Sequence, residues 1–209
     1  MAQIIPAILS ATWSEIEDKI KQIDGLTEWV QIDVADGHFV PAVTWATPDD
    51  LALLPGVAKI EIHLMIDRPE EILAAWMNVA DRVVIHIEAT DQLADIVDAF
   101  GSTNTKLVLA LELDTPLADV LPYAPRVAAI QLMGIRKVGF QGESFDPRVL
   151  DRVRELKTKL PGVSVQVDGG IDLGTGRDCV LAGADALIVG SALWESGDAA
   201  GMIAKFKEL

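Results

Sequence analysis

At 209 residues, half of them hydrophobic, the chain has apolar mass for one large core, and a single domain over residues 1–209 is expected. Its 17 basic against 32 acidic residues give a formal charge of −15, which opposes nucleic acid and anionic membrane surfaces as partners and requires any anionic ligand to be held by local donors. No apolar run reaches the ~18 residues of a membrane span, MAQIIPAILSATW carries no basic leader, and the lone Cys179 excludes an internal disulfide or a cysteine-built metal site, so a cytoplasmic protein is expected.

IIPAIL (4–9) reads as a buried strand, and Ser14 with Glu17 three residues on reads as a capping box opening the first helix. WVQIDV (29–34) alternates, with Val30, Ile32 and Val34 to one side and Gln31, Asp33 and Ala35 to the other. A loop and a short helix over 49–54 follow. KIEIHLM (59–65) leads to a helix opening at Pro69, RVVIHI (82–87) to one near Asp91, and KLVLAL (106–111) to one entered at Pro116. RVAAIQLM (126–133) precedes a long loop and a helix over 147–160; SVQVD (164–168) and ALIVG (186–190) precede helices over 174–182 and 197–207. Eight strand–helix units with near-continuous apolar strands predict an α/β fold, a single closed (β/α)8 barrel. The competing doubly wound sheet usually carries glycines after its first strand, and IIPAILSATW has none.

Active sites of such barrels form at the carboxyl ends of the strands. The polar residues there are Ser10, Asp33 with Asp36, His63, His86 with Glu88, Glu112, Asp168 and Ser191. A carboxylate in a run as apolar as the second strand is costly to bury alone, so Asp33 needs a cation, a donor or a chemical task. Two carboxylates and an imidazole at one mouth, Asp33, His63 and Asp168, can bind a divalent cation or form an acid–base pair across a substrate. Singly, each has a plainer reading, a turn-capping acid or a neutral histidine on a backbone carbonyl. Glycine-rich turns follow three successive strands, Gly139-Phe140-Gln141-Gly142, Gly169-Gly170 and Gly190-Ser191. Glycine lets backbone N–H groups approach an anion, so these turns predict a phosphate cradle. Arg136 and Lys137 in the strand-six loop either offset the acidic background for that phosphate or are solvated charges.

IIPAILSA (4–11), IDVADGHFVP (32–41), IHLM (62–65) with Pro69-Glu70, IHIEAT (85–90), GFQGESF (139–145), VDGGI (167–171) and GADALIVGSALW (183–194) together resemble the ribulose-phosphate 3-epimerase family over nearly the whole length. The resemblance implies an isomerase that inverts carbon 3 of a ketose phosphate, D-ribulose 5-phosphate to D-xylulose 5-phosphate, with Asp33 and Asp168 as base and acid. It implies a divalent metal (zinc, manganese or iron) on Asp33, His63 and Asp168, while the phosphate expected from the glycine-rich turns falls at Gly139, Gly142, Gly169, Gly170, Gly190 and Ser191. Ser10, Met65 and Met133 are expected to line the substrate pocket, and a homo-oligomer is expected. Gln31 stands where the family has its first metal histidine, and an amide oxygen is a poorer ligand than imidazole. Ala7 and Ala35 replace a serine and a methionine, Glu112 stands where asparagine or lysine is common, and the strand-six loop reads Arg136-Lys137-Val138-Gly139. All these departures lie at the mouth. They leave two alternatives to the epimerase: another phosphosugar isomerase, lyase or aldol-type synthase on the same barrel, or a non-catalytic phosphosugar-binding protein. The D-x-K-x-x-D signature of the related decarboxylases is absent, with Glu61 and His63 in that strand.

Overall fold

The computed structural model describes residues 2–54, 58–140 and 142–209. Eight parallel strands, β1 (Gln3–Leu9), β2 (Trp29–Ala35), β3 (Lys59–Met65), β4 (Arg82–His86), β5 (Lys106–Leu111), β6 (Ala129–Met133), β7 (Val165–Asp168) and β8 (Ala186–Val189), close into a barrel in chain order, with β8 pairing back to β1. The expected (β/α)8 barrel is the fold. Alternation works as the sequence predicts: Val30, Ile32, Val34, Ile62, Leu64, Val83 and Ile85 join the main apolar core. Their neighbours, among them Gln31, Asp33, His63 and His86, form the set on the opposite face, toward the barrel interior. Register sets Asp33 level with His63 and Met133 level with Asp168.

The outer layer is less regular than eight full helices. α1 (Trp13–Ile23) is capped by Thr12, whose hydroxyl accepts from the Glu15 amide, and not by Ser14 as expected. Among the described residues between β2 and β3 the one helical stretch is 3₁₀, Pro48–Leu53, and the helix expected from Pro69 is a 3₁₀ turn, Pro69–Glu71, followed by one turn of helix, α2 (Leu73–Trp76). Following α3 (Leu93–Phe100) and β5, the helix expected at Pro116 is replaced by two 3₁₀ turns, Leu117–Asp119 and Ala124–Arg126. The cause was in the sequence: Pro122 and Pro125 each lack the N–H that a helix interior needs and clash with the preceding turn. The second of these turns also takes the start of the strand expected over 126–133.

α4 (Arg148–Lys159), α5 (Leu173–Ala182), α6 (Ser191–Trp194) and α7 (Ala199–Phe206) complete the shell. α5 opens with a capping box in which Asp172 accepts from Thr175 N–H while the Thr175 hydroxyl answers the Asp172 amide, and Gly183 closes it at φ 108°. Cys179 is buried, and burial pushes its thiol up to about 12, as an inert core residue requires. Among the described residues, no helix is long and apolar enough to cross a membrane.

Candidate active site

Asp33, His63 and Asp168 meet at the mouth formed by the carboxyl ends of the strands. His63 Nδ1 lies 3.2 Å from Asp33 Oδ1 and 3.5 Å from Asp168 Oδ2, and one ligating atom from each of the three lies within 4.8 Å of the others. His63 is 1% exposed while the aspartate side chains are 12% and 14% exposed, so the carboxylates face a ligand and the imidazole backs them. Burial pushes Asp33 up to about 7, against the hydrogen bond from Gln31. Burial, reinforced by the Asp33 charge, pushes Asp168 up to about 7 as well. Two such carboxyls cannot both ionise cheaply, so near neutral pH the pair tends to hold one proton between them. His63 is lowered, chiefly by burial, and is neutral there.

Gln31 enters this cluster directly. Its side-chain nitrogen donates to Asp33 Oδ1 at 2.9 Å and to Asp168 Oδ2 at 3.1 Å, and lies 3.4 Å from His63 Nδ1, while its buried Oε1 has no partner among the described residues. With the two His63 separations, these contacts give five of the six distances among the four atoms, between 2.9 and 3.5 Å, and the sixth, between the two aspartates, lies within 4.8 Å. Donors ~2.0–2.2 Å from a tetrahedral zinc ion are separated by roughly 3.4 Å, so this donor set fits a divalent cation. Gln31 qualifies as the fourth donor with its oxygen turned inward, since the two ends of an amide have the same shape. The unpartnered Oε1 is the atom such a turn would satisfy.

The cleft above the cluster encloses about 520 Å³ of space including its open mouth. Met65 and Met133 line it, as do Gly139, Gly142, Gly169, Gly170, Gly190 and Ser191; Gln141 of the same loop lies outside the described residues. Gly170 has φ 69°, and a Cβ there would stand 2.7 Å from the Phe145 Cα, so backbone approach at this turn needs glycine. Gly190 is the N-cap of α6 and carries no side chain to occupy the free N–H groups of that turn.

Three expectations come out differently. Ser10 does not line the cleft: its hydroxyl is turned toward Glu15 and the Thr12 carbonyl, bracing the entry to α1. Arg136 and Lys137 do not line it either, and Arg136 Nε is held 3.2 Å from Asp146, so among the described residues that loop brings no cation to the cleft. Asp36 serves the fold, accepting from the amides of His38, Phe39 and Asp67 and so pinning the DGHF turn to the loop after β3.

Two further contacts of the cluster come from Gln131, which the sequence did not assign to the site, and from His86, which it placed at the mouth without a role. Gln131 donates to Asp168 Oδ2 at 3.0 Å, and His86 Nε2 lies 2.9 Å from His63 Nε2. Both were signalled by period-two alternation, since Gln131 precedes Met133 by two residues and His86 ends β4 on the interior face.

Residues 3–194 match the model of the Ribulose-phosphate 3 epimerase family. The chain belongs to this family. Ribulose-phosphate 3-epimerase of Mycobacterium tuberculosis is 30% identical over 210 residues, covering 98% of this chain and 91% of that protein. The enzyme of the same name from Chlamydia muridarum is 30% identical over 198 residues, covering 90% and 86%. Among solved structures, 3-hexulose-6-phosphate synthase from Salmonella typhimurium superposes with a TM-score of 0.77 at 18% identity, covering 99% of this chain and 97% of that one, a likeness of fold. Family membership and the buried Asp-His-Asp cluster together support an enzyme of isomerase-like character.

Proposed function

We propose that the protein is a ribulose-phosphate 3-epimerase-like isomerase that interconverts D-ribulose 5-phosphate and D-xylulose 5-phosphate. The observation that carries this reading is the pair Asp33 and Asp168, both at the floor of the cleft and both raised to about 7. Epimerisation needs one ionised carboxylate to take the proton from carbon 3 and one protonated carboxyl to return a proton to the opposite face. A pair holding a single proton meets both needs, and after each turnover the two have exchanged roles. The enediolate formed between the two transfers carries negative charge that must be stabilised before the proton returns.

Gln31 orients both carboxylates through one amide group, and Gln131 donates a second hydrogen bond to the same Asp168 Oδ2. A divalent ion held by Asp33, His63, Asp168 and the Gln31 oxygen would supply positive charge to the enediolate oxygens. The backbone of Gly169, Gly170, Gly190 and Ser191 would receive the phosphate, and Met65 and Met133 would exclude water from the carbon chain.

The test is incubation with D-ribulose 5-phosphate in deuterated water, with and without added zinc. Deuterium at carbon 3 together with xylulose 5-phosphate is expected; a bound sugar that acquires none at carbon 3 would overturn the assignment. Exchange at another carbon would instead favour a different phosphosugar enzyme on this barrel. Ala7, which lines the cleft, favours that second reading, since the family resemblance implies a serine at its position.

A further inference from the structure

Ala7, Gly190 and Ser191 line the cleft, and Trp194 joins the first two of them. Its indole Nε1–H donates to the Ala7 carbonyl at 2.6 Å, and its backbone N–H donates to the Gly190 carbonyl at 3.3 Å. Lys19 Nζ, 5.5 Å from the ring centroid, makes a cation–π contact that helps hold the indole in this pose.

The register of the barrel shows what the indole displaces. Gln3 N–H donates to the Asp185 carbonyl at 2.8 Å, so by alternation the backbone polar groups of Gln3, Ile5 and Ala7 all point toward β8. A parallel ladder advances two residues at a time on each strand. With Gln3 level with Ala186 and Ile5 level with Ile188, the Ile5 carbonyl falls to the Val189 N–H, and the next rung would give the Ala7 carbonyl to the Ser191 N–H. That rung is not made. The pairing stops at Pro6 and Val189, Gly190 leaves the strand at φ −100° and ψ −100°, and the indole takes the Ala7 carbonyl instead. Released from the ladder and, as the first residue of α6, without an acceptor inside that helix, the Ser191 N–H is left to the cleft it lines.

We infer that Trp194 is a positioning residue for phosphate: by capping the Ala7 carbonyl it keeps the Ser191 amide out of the β1–β8 ladder and available to the phosphate of the substrate. Ala7 is buried, so without the indole its carbonyl would lack a donor, and drawing the Ser191 N–H back would relieve that cost. A phenylalanine ring could fill much of the same space but has no N–H to give.

The inference rests on the proposed reading that the Gly190-Ser191 turn receives a phosphate, and the test separates the two. Calorimetry compares D-ribulose 5-phosphate with unphosphorylated D-ribulose in the wild type and in Trp194→Phe. The wild type should prefer the phosphorylated sugar, and Trp194→Phe should lower that preference on the order of 10-fold. Zinc affinity, read by competition with a chelating dye, should stay unchanged, because the aspartates stand on β2 and β7. In wild-type protein the Ser191 amide proton should move downfield when inorganic phosphate is added. Wild type that binds both sugars alike would remove the phosphate reading and this inference with it. An undiminished preference in folded Trp194→Phe, or equal losses for both sugars, would overturn the inference alone. So would a Ser191 amide that phosphate leaves unmoved while those of Gly169 or Gly170 respond.

Discussion

The interior of this barrel is built in two ways. Against β1 and β8, Ile5, Ala7, Ala186 and Ile188 form one dry patch, and Val84, Val108, Ala110 and Ala129 form another against β4 to β6. Between them runs a polar seam: Arg82 Nε 2.8 Å from Glu61, Gln166 donating to Glu61 at 3.2 Å and to Gln131 at 3.1 Å, and Gln131 donating to Asp168 at 3.0 Å. The dry patches are non-directional and tolerate changes that preserve volume. In the seam each donor needs its acceptor, so one substitution reorders several groups. At its far end the Arg82 guanidinium lies over the Trp29 ring at 3.6 Å, which helps offset the burial that raises Glu61 and lowers Arg82.

The strongest way to separate the two constructions is at the aspartates. Asp33→Asn and Asp168→Asn should each cut deuterium incorporation at carbon 3 by about 10²–10⁴-fold, while sugar-phosphate binding by calorimetry changes little; retained exchange in either would remove that carboxylate from the chemistry.

Stability tests the seam at its other end. Glu61→Leu strands the buried Arg82 charge and should cost about 3–5 kcal/mol in urea unfolding, with much of it regained when Arg82 is also made Met. In the dry patch, Ile188→Val should cost only ~0.5–1.5 kcal/mol. Equal costs would mean that the seam is no more demanding than the apolar patches.

At the rim the same contrast separates backbone from side chain. Gly170→Val should abolish phosphate-dependent binding, because its Cβ would collide with the Phe145 backbone. Ser191→Ala should weaken binding only a few-fold if backbone N–H groups hold the phosphate; a loss as large as that of Gly170→Val would transfer the task to the hydroxyl.

Gln31→His adds an imidazole that zinc prefers to an amide, so zinc affinity should rise clearly, read by the chelator competition. Tighter zinc without faster carbon-3 exchange would show that Ala7, Ala35 and the strand-six loop have moved the site to another substrate.

The smallest effect is on pH. Asp33 and Asp168 are raised to about 7 in the folded chain, so between about pH 4 and 7 the folded state holds more protons than the unfolded state. Their contribution to stability is therefore fullest below about pH 4 and is lost as pH rises through 7. Metal-free thermal melts should show that fall, and zinc, which binds the deprotonated carboxylates, should offset it most at pH 8. A melting temperature that rises through this window would mean that the aspartates are ionised without penalty.

Much of this was legible in the chain itself. Period-two alternation in WVQIDV and KIEIHLM fixed which side chains face the interior, and the eight apolar runs fixed the strand count, because both follow from local geometry. The replacement of the fifth helix was legible too, through Pro122 and Pro125. Tertiary structure alone decided that Ser10 braces α1, that Arg136 is spent on Asp146, and that His86 Nε2 meets His63 Nε2. It alone decided that Gln31, 137 residues from Asp168 in sequence, donates to it across the barrel. The physical reason is that a hydrogen bond depends on the distance and direction of two particular atoms, and barrel closure sets both only after every strand has taken its register.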